Sequence, residues 1–483
     1  MKILTYCLLA IVFLSPTVRG AEQKKNVLFI VADDLRVELG CYGSTAHSPN
    51  IDALAKQGLL FQHAYCQQAV CNPSRSSFLT GKRPDTLRHW VNGTHFRVKN
   101  PNVVTMPEWF KKQGYTTRNV GKIFHNWHTE VKGDRQSWSA DEFLHYANHG
   151  KDVPAPKLLL DQQNQATSRH CFRYDVPDDA YYDGQVANEA LKVLSEIKNQ
   201  PFFLAVGFWK PHAPFNAPAK YWKNNPVGGI PRLNPARPKN SVEWAFHDSR
   251  ELMSIPPKQF TFTQDDVRAM RQGYFANIEY MDAQLGRVIR ELDRLKLRDS
   301  TIIVFVSDHG YQLGEHGLWA KTSCFELDAR VPLLIVDPSG QGKGKQTQAL
   351  AELIDLFPTL VEMCGLPARN DLDGKSLVHL LQQPEKPHRS GALTQHPRPA
   401  YYDRTEKGIP DAMGYSIRTA DVRYTEWRDW ETGKILGREL YEHRTDPGEL
   451  NNTVDNPGAP EHLATAIKEL HLLVPTSVPP AKR

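Results

Sequence analysis

Short, nearly continuous apolar runs punctuate the chain, and most are followed at once by charged or imidazole side chains. Residues 26–32 (NVLFIVA), 202–208 (FFLAVGF), 301–306 (TIIVFV) and 331–336 (VPLLIV) lack the polar alternation of a half-exposed strand. Runs of this length, apolar on both faces, predict central strands of a buried parallel sheet. A weaker strand is expected at 116–120. Helical patterns lie between them. Ser48-Pro49 opens one that closes at Gly58, and Thr105 opens another that closes at Gly114, each with a cap, an early Pro and a final Gly. Apolar residues at three- and four-residue spacing predict helices over 186–197 and 265–295. Strands alternating with helices indicate an α/β class.

Residues 224–240, rich in Pro, Gly and Asn, are expected to form a long loop, and a second break is expected over 382–399. Beyond it, 415–430 and 436–442 flank a Glu431-Thr432-Gly433-Lys434 turn and read as antiparallel strands, followed by a helix over 459–473. A small C-terminal α+β subdomain is expected there. No internal repeat or low-complexity tract interrupts the chain.

Composition narrows the class. At 483 residues, 40% apolar and 23% charged, the chain is an ordinary globular sequence, long enough for one large domain and a smaller one. Lys2 and Arg19 are the only charged residues among the first 20, so the remainder carries +3 of the formal +5. A charge that small and dispersed gives no basis for nucleic-acid binding, although a basic pocket for an anion remains compatible with it. Lys2, an apolar run over 3–14 and the small residues before Ala21 have the parts of a secretory signal. The run is too short to span a bilayer, so export is expected, to the medium or periplasm, without stable membrane insertion. Cys7 leaves with the signal. Cys41, Cys66, Cys71, Cys171, Cys324 and Cys364 remain, without metal-ligand spacing and with no readable pairing.

The residues suited to chemistry lie just beyond the strands. Asp33-Asp34 come after the first run, Ser307-Asp308-His309-Gly310 after the run at 301–306, Lys210-Pro211-His212 after the run at 202–208, and Lys122 and His125 after the strand at 116–120. Ligands of open α/β sheets bind beyond the carboxyl ends of the strands, so these groups are expected along one edge. Any one of them alone reads equally as a turn residue or helix cap. Asp33, Asp34 and Asp308 packed together repel unless a cation sits among them, and oxygen donors favour Ca²⁺ or Mg²⁺ over zinc. The run Cys71-Asn72-Pro73-Ser74-Arg75 precedes Leu79-Thr80-Gly81, and Pro73 suits the first turn of a helix whose positive end welcomes an anion. The competing reading is a buried Cys before a helix, with Arg75 in a surface ion pair.

Cys-x-Pro-Ser-Arg followed by Leu-Thr-Gly resembles the signature of the formylglycine-dependent type I sulfatases. The resemblance runs over almost the whole mature chain and is nearest to the iduronate-2-sulfatase type. It includes Asp33-Asp34-Leu35-Arg36, Gly121-Lys122-Ile123-Phe124-His125, Lys210-Pro211-His212, Leu313-Gly314-Glu315-His316-Gly317, Trp319-Ala320-Lys321, Gln395-His396-Pro397-Arg398-Pro399 and Met413-Gly414-Tyr415-Ser416-Ile417-Arg418-Thr419.

The resemblance implies an alkaline-phosphatase-like sulfatase fold: a large, mixed but mostly parallel sheet between helices, with a small antiparallel C-terminal sheet. With the signal peptide read at 1–20, a catalytic domain is expected at 21–385 and a C-terminal subdomain at 386–483. It implies that a formylglycine-generating enzyme oxidises Cys71, that one hydroxyl of the hydrated aldehyde attacks sulfur, and that the other allows sulfate to leave. Asp33, Asp34, Asp308 and residue 71 resemble the family's shell for one Ca²⁺, with His309 beside it. Arg75 and Lys122 are expected on the diol oxygens, Lys321 on the sulfonyl charge, His125 in collapse of the adduct and His212 as the acid for the leaving sugar oxygen. The implied substrate is a sulfated, uronic-acid-containing glycan of the iduronate 2-sulfate type, with Arg398 gripping the carboxylate. Other readings remain open here: another sulfated polysaccharide, a phosphonate or phosphodiester hydrolase of the same superfamily, or a sulfoglycan binder with unmodified Cys71.

Overall fold

The structure, a computed structural model, describes residues 24–125, 131–144, 171–230, 233–247, 263–456 and 461–483. The expected signal segment lies outside them. A seven-stranded sheet is built from β1 (Asn26–Asp33), β2 (Leu59–Tyr65), β3 (Thr116–Gly121), β4 (Phe202–Pro211), β5 (Thr301–Ser307), β6 (Arg330–Val336) and β7 (Lys345–Glu352), in the order β7-β2-β6-β5-β1-β4-β3. Strands β5, β1, β4 and β3 are adjacent and parallel. The pattern at 331–336 predicts a parallel strand as well, but β6 is antiparallel to both neighbours. An apolar run shows that both faces are buried and says nothing about strand direction.

Both faces of the sheet are covered, which explains the continuous runs. In β1, Leu28, Ile30 and Ala32 join a core with α1 (Pro49–Ala55), α4 (Tyr182–Ile197) and α5 (Gln264–Arg294). Val27, Phe29 and Val31 join the opposite core with α2 (Cys71–Thr80), α3 (Met106–Lys112) and α6 (Leu356–Met363). Thr105 and Thr263 begin α3 and α5 with capping boxes. Ser48 does not cap α1: its hydroxyl accepts from Gly40 N and donates to Asp52.

A second sheet, β8 (Ala392–Arg398), β9 (Ala412–Arg418), β10 (Val422–Asp429) and β11 (Ile435–Glu442), is antiparallel in chain order. With α7 (Glu461–Leu473) it closes a core around Met413, Tyr415, Tyr424, Leu440 and Leu470. Two expectations need correction. The break at 382–399 contains the buried strand β8, and the segment 415–430 is two strands separated by a turn in which Thr419 N donates to Val422 O. The six cysteines of the described residues are free thiols.

Candidate active site

The four parallel strands end at one edge and deliver polar groups to one buried space. Asp33 closes β1, and Asp34 follows in the left-handed region at φ 64°, its amide donating to Asp308 Oδ1 at 3.1 Å. Asp308 follows β5, Lys122 follows β3, and His212 follows β4. Lys321 follows the short strand Trp319–Ala320, and Cys71 is the first residue of α2. Gly121, at φ +86°, and Gly207 let β3 and β4 meet closely enough for Lys122 N to donate to Gly207 O at 2.9 Å. A Cβ on Gly207 would lie 1.9 Å from Lys122 O, so only glycine leaves this room.

Cys71 Sγ is bounded by Lys122 Nζ at 3.6 Å, His309 Nε2 at 3.4 Å and Asp33 Oδ1 at 3.8 Å. Lys122 Nζ also donates to Asp33 Oδ2 at 2.5 Å. Arg75 donates to Asp33 (2.9 Å), Asp308 (2.8 Å) and the carbonyls of Lys122 (2.6 Å) and Ile123 (3.0 Å). These bonds to protein mean that Arg75 chiefly fixes the two carboxylates. It is fully buried, which removes the reading of a surface ion pair. Lys321 Nζ reaches both oxygens of Asp34 at 2.9 Å. His212 Nε2 stands 3.8 Å from Asp34 Oδ2. His125 is buried three residues beyond Lys122 on the same loop.

Burial would raise the Asp33 carboxyl, but Lys122 and Arg75 hold it well below the usual carboxylate range. Burial pushes the Cys71 thiol up to about 12, only partly offset by Lys122 and Lys321, so an unmodified Cys71 is a protonated thiol rather than a thiolate.

The donor set suits a hard divalent cation. Ligand atoms of Asp33, Cys71 and Asp308 lie within 4.8 Å of one another, as do those of Asp34, Cys71 and His309. His309 Nδ1 faces Gly310 O at 2.9 Å, which leaves Nε2 for the cluster, 3.5 Å from both Asp34 and Asp308. Oxygen donors dominate, as Ca²⁺ or Mg²⁺ requires.

The sulfatase family model matches residues 25–366, and the model for the C-terminal part of N-sulphoglucosamine sulphohydrolase matches 314–474. The chain belongs to the sulfatase family. This sulfatase is 36% identical to iduronate 2-sulfatase of Mus musculus, over 90% of this chain and 92% of that one. It is likewise 36% identical to iduronate 2-sulfatase of Homo sapiens, over 88% and 90% of the two chains. The fold is shared with the phosphonate monoester hydrolase of Agrobacterium radiobacter, at a TM-score of 0.73 and 24% identity, covering 94% of this chain and 95% of that one. A likeness at that identity speaks for the fold alone.

The residues expected in the site, apart from His125, are joined by these contacts, and His125 sits on the Lys122 loop. Arg398 departs from expectation. It is buried on β8, donates to the carbonyls of Trp244, Ala245 and Pro397, and stacks on Trp427 with its guanidinium 4.6 Å from the ring centroid. Its donors are committed to protein, so it braces the segment 242–246 against the small sheet instead of reaching for a carboxylate. Sequence reasoning missed the Gly121–Gly207 contact and the buried Asp183, whose carboxylate accepts from Trp209 N and Lys210 N at 2.7 and 3.1 Å. Gly121 at the end of β3 and Gly207 within β4 were the available signal for the first. Asp183 lies just before the helical pattern expected over 186–197, in the first turn of the observed helix, with nothing to mark it.

Proposed function

We propose that this sulfatase is exported and removes the 2-O-sulfate from a terminal uronic acid of a sulfated glycosaminoglycan, through formylglycine made from Cys71 by a formylglycine-generating enzyme and with one Ca²⁺. The observation that carries this reading is Cys71 at the start of α2, held between Lys122 and His309 beside three buried carboxylates. Hydrated formylglycine at position 71 supplies a nucleophilic oxygen and a second hydroxyl through which sulfate is released. Asp33, Asp34, Asp308 and His309 would hold the ion, which polarises a sulfate oxygen when bound.

The chain's own residues divide the remaining work. Lys122, between Asp33 and position 71, orients the attacking oxygen. Lys321 presents positive charge to the sulfonyl group. His212 protonates the leaving oxygen, and His125 takes up the proton as sulfate departs. We place the signal at 1–20, the catalytic domain at 21–385 and the C-terminal subdomain at 386–483. Among the described residues no helix is long and apolar enough to cross a membrane.

The uronate assignment is supported by the iduronate 2-sulfatase relatives, whose similarity extends over both sheets. A substrate panel tests it: a 2-O-sulfated uronate disaccharide, a sulfated galactose and a phenyl phosphonate monoester. Higher kcat/KM on the uronate than on the other two is expected. Preference for the galactose sulfate overturns the substrate, and preference for the phosphonate overturns the reaction.

A further inference from the structure

We propose that Lys210 is a positioning residue for His212: its buried ammonium holds the turn that aims the imidazole into the active site. This rests on the reading of His212 as the acid of the proposed reaction. Lys210 is the penultimate residue of β4, 7% exposed. Its side chain folds under the turn and donates to His212 O at 3.2 Å, Pro214 O at 2.6 Å and the Asn216 side-chain carbonyl. An ammonium has three donors, and these three acceptors use them all. Lys210 therefore has no hydrogen left for a substrate, despite lying next to the catalytic histidine.

The backbone of the same stretch is fixed from the other side. Asp183, 1% exposed near the start of α4, accepts the amides of Trp209 and Lys210. Strand end and turn are thus pinned independently, the strand by a carboxylate and the turn by an ammonium. Within the turn, His212 Nδ1 faces Ala213 O at 2.5 Å, which directs Nε2 toward Asp34. Two of the three carbonyls from 212 to 214 accept from Lys210 and the third engages the imidazole itself, so the ring's orientation is set by the turn's backbone. Loss of the ammonium takes the donor from the His212 carbonyl and the Asn216 amide oxygen, which rearrangement of the turn must then satisfy, while Pro214 O keeps the bond from Asn216 N.

The test pairs phenyl sulfate, a poor leaving group, with 4-nitrophenyl sulfate, a good one, in wild type, Lys210→Met, Lys210→Arg, His212→Ala and the Lys210→Met/His212→Ala double variant. Removing a general acid costs about 100-fold or more, chiefly where the leaving group needs the proton. Lys210→Met is expected to lower kcat on phenyl sulfate about 10- to 100-fold, the scale of a displaced catalytic group, with a much smaller loss on 4-nitrophenyl sulfate. Lys210→Arg restores part of the loss, and the double variant is no worse than His212→Ala alone. Equal losses on both substrates, or a multiplicative loss in the double variant, overturn the proposal. If His212→Ala itself shows no leaving-group dependence, its role as the acid falls, and the double variant alone decides whether Lys210 acts through it. Should Lys210→Met not fold, Asn216→Ala removes one acceptor and is measured in the same way.

Discussion

Around Cys71 three carboxylates, Asp33, Asp34 and Asp308, face three cations, Arg75, Lys122 and Lys321, all at most 1% exposed. Buried ions of one sign alone would be prohibitive, and the balance makes the cluster tenable. A divalent ion added to a balanced set leaves a net positive site, which suits an anionic sulfate ester. Asp308→Asn keeps the shape but removes one charge shared by Arg75 and the ion. We expect metal affinity to fall at least about 100-fold, the upper range found even for outer-shell partners, and activity with it. Elemental analysis after dialysis checks this; full retention of calcium, or one equivalent of zinc in the wild type, contradicts the carboxylate assignment. Cys71→Ala removes a single buried sulfur, so the variant should melt close to the wild type and yet release no sulfate. Near-normal sulfate release by that variant contradicts the nucleophile assignment.

At the scale of elements, the Gly121–Gly207 contact brings β3 and β4 together where Lys122 emerges. Gly207→Ala forces backbone apart at that point, at a cost of about 1–3 kcal/mol by the scale of overpacking. Because Lys122 moves with the strand end, kcat should fall about 100-fold even in molecules that remain folded, as measured by kinetics alongside a thermal melt. Wild-type kcat in Gly207→Ala would show that the contact does not position Lys122.

In the small sheet, Glu439 on β11 is buried and accepts from Trp427 Nε1 and the Tyr441 hydroxyl. Burial raises its carboxyl from 4.5 to about 7, against the pull of those two bonds. Between these values the folded chain holds the proton more tightly than the unfolded chain, so this group's contribution is full below 4.5 and declines as pH rises toward 7. Melting temperatures of Glu439→Gln should fall less steeply over that window than those of the wild type; parallel profiles would contradict the shift.

Elements differed in how far the sequence disclosed them. Of the four strands feeding the site, β1, β4 and β5 were legible because both their faces are buried, and β3, at the sheet edge with Thr116 and Arg118 partly exposed, gave the weaker signal. β7 was not, since KQTQALAE lies at an edge with its first half largely exposed. β2 breaks its apolar run at the partly exposed Gln62 and His63. β8 was hidden by its polar residues: Thr394, Gln395, His396 and Arg398 are buried and mostly hydrogen-bonded, a pattern that reads as a linker from sequence.

At the scale of the whole molecule, the small sheet is tied to the loops and helices of the large one through polar groups. Asp85 accepts from Trp90 Nε1, Gln395 Nε2 and the Tyr415 hydroxyl, and Gln395 N donates to Gln67 O. The stretch just before Cys71 is therefore tied to both sheets. Convergence of the site residues was legible because parallel strands share one functional edge, whereas Arg398 was not, because its bracing role depends on the carbonyls of Trp244 and Ala245, far away in sequence. The central claim is that catalysis depends on oxidised Cys71. Protein made with varying amounts of the maturing enzyme can be digested and the residue-71 peptide weighed, while specific activity is measured on the same samples. Activity should rise in proportion to the fraction in which the thiol has been replaced by an aldehyde and vanish as that fraction approaches zero; full activity in protein whose Cys71 is an unmodified thiol would contradict the account.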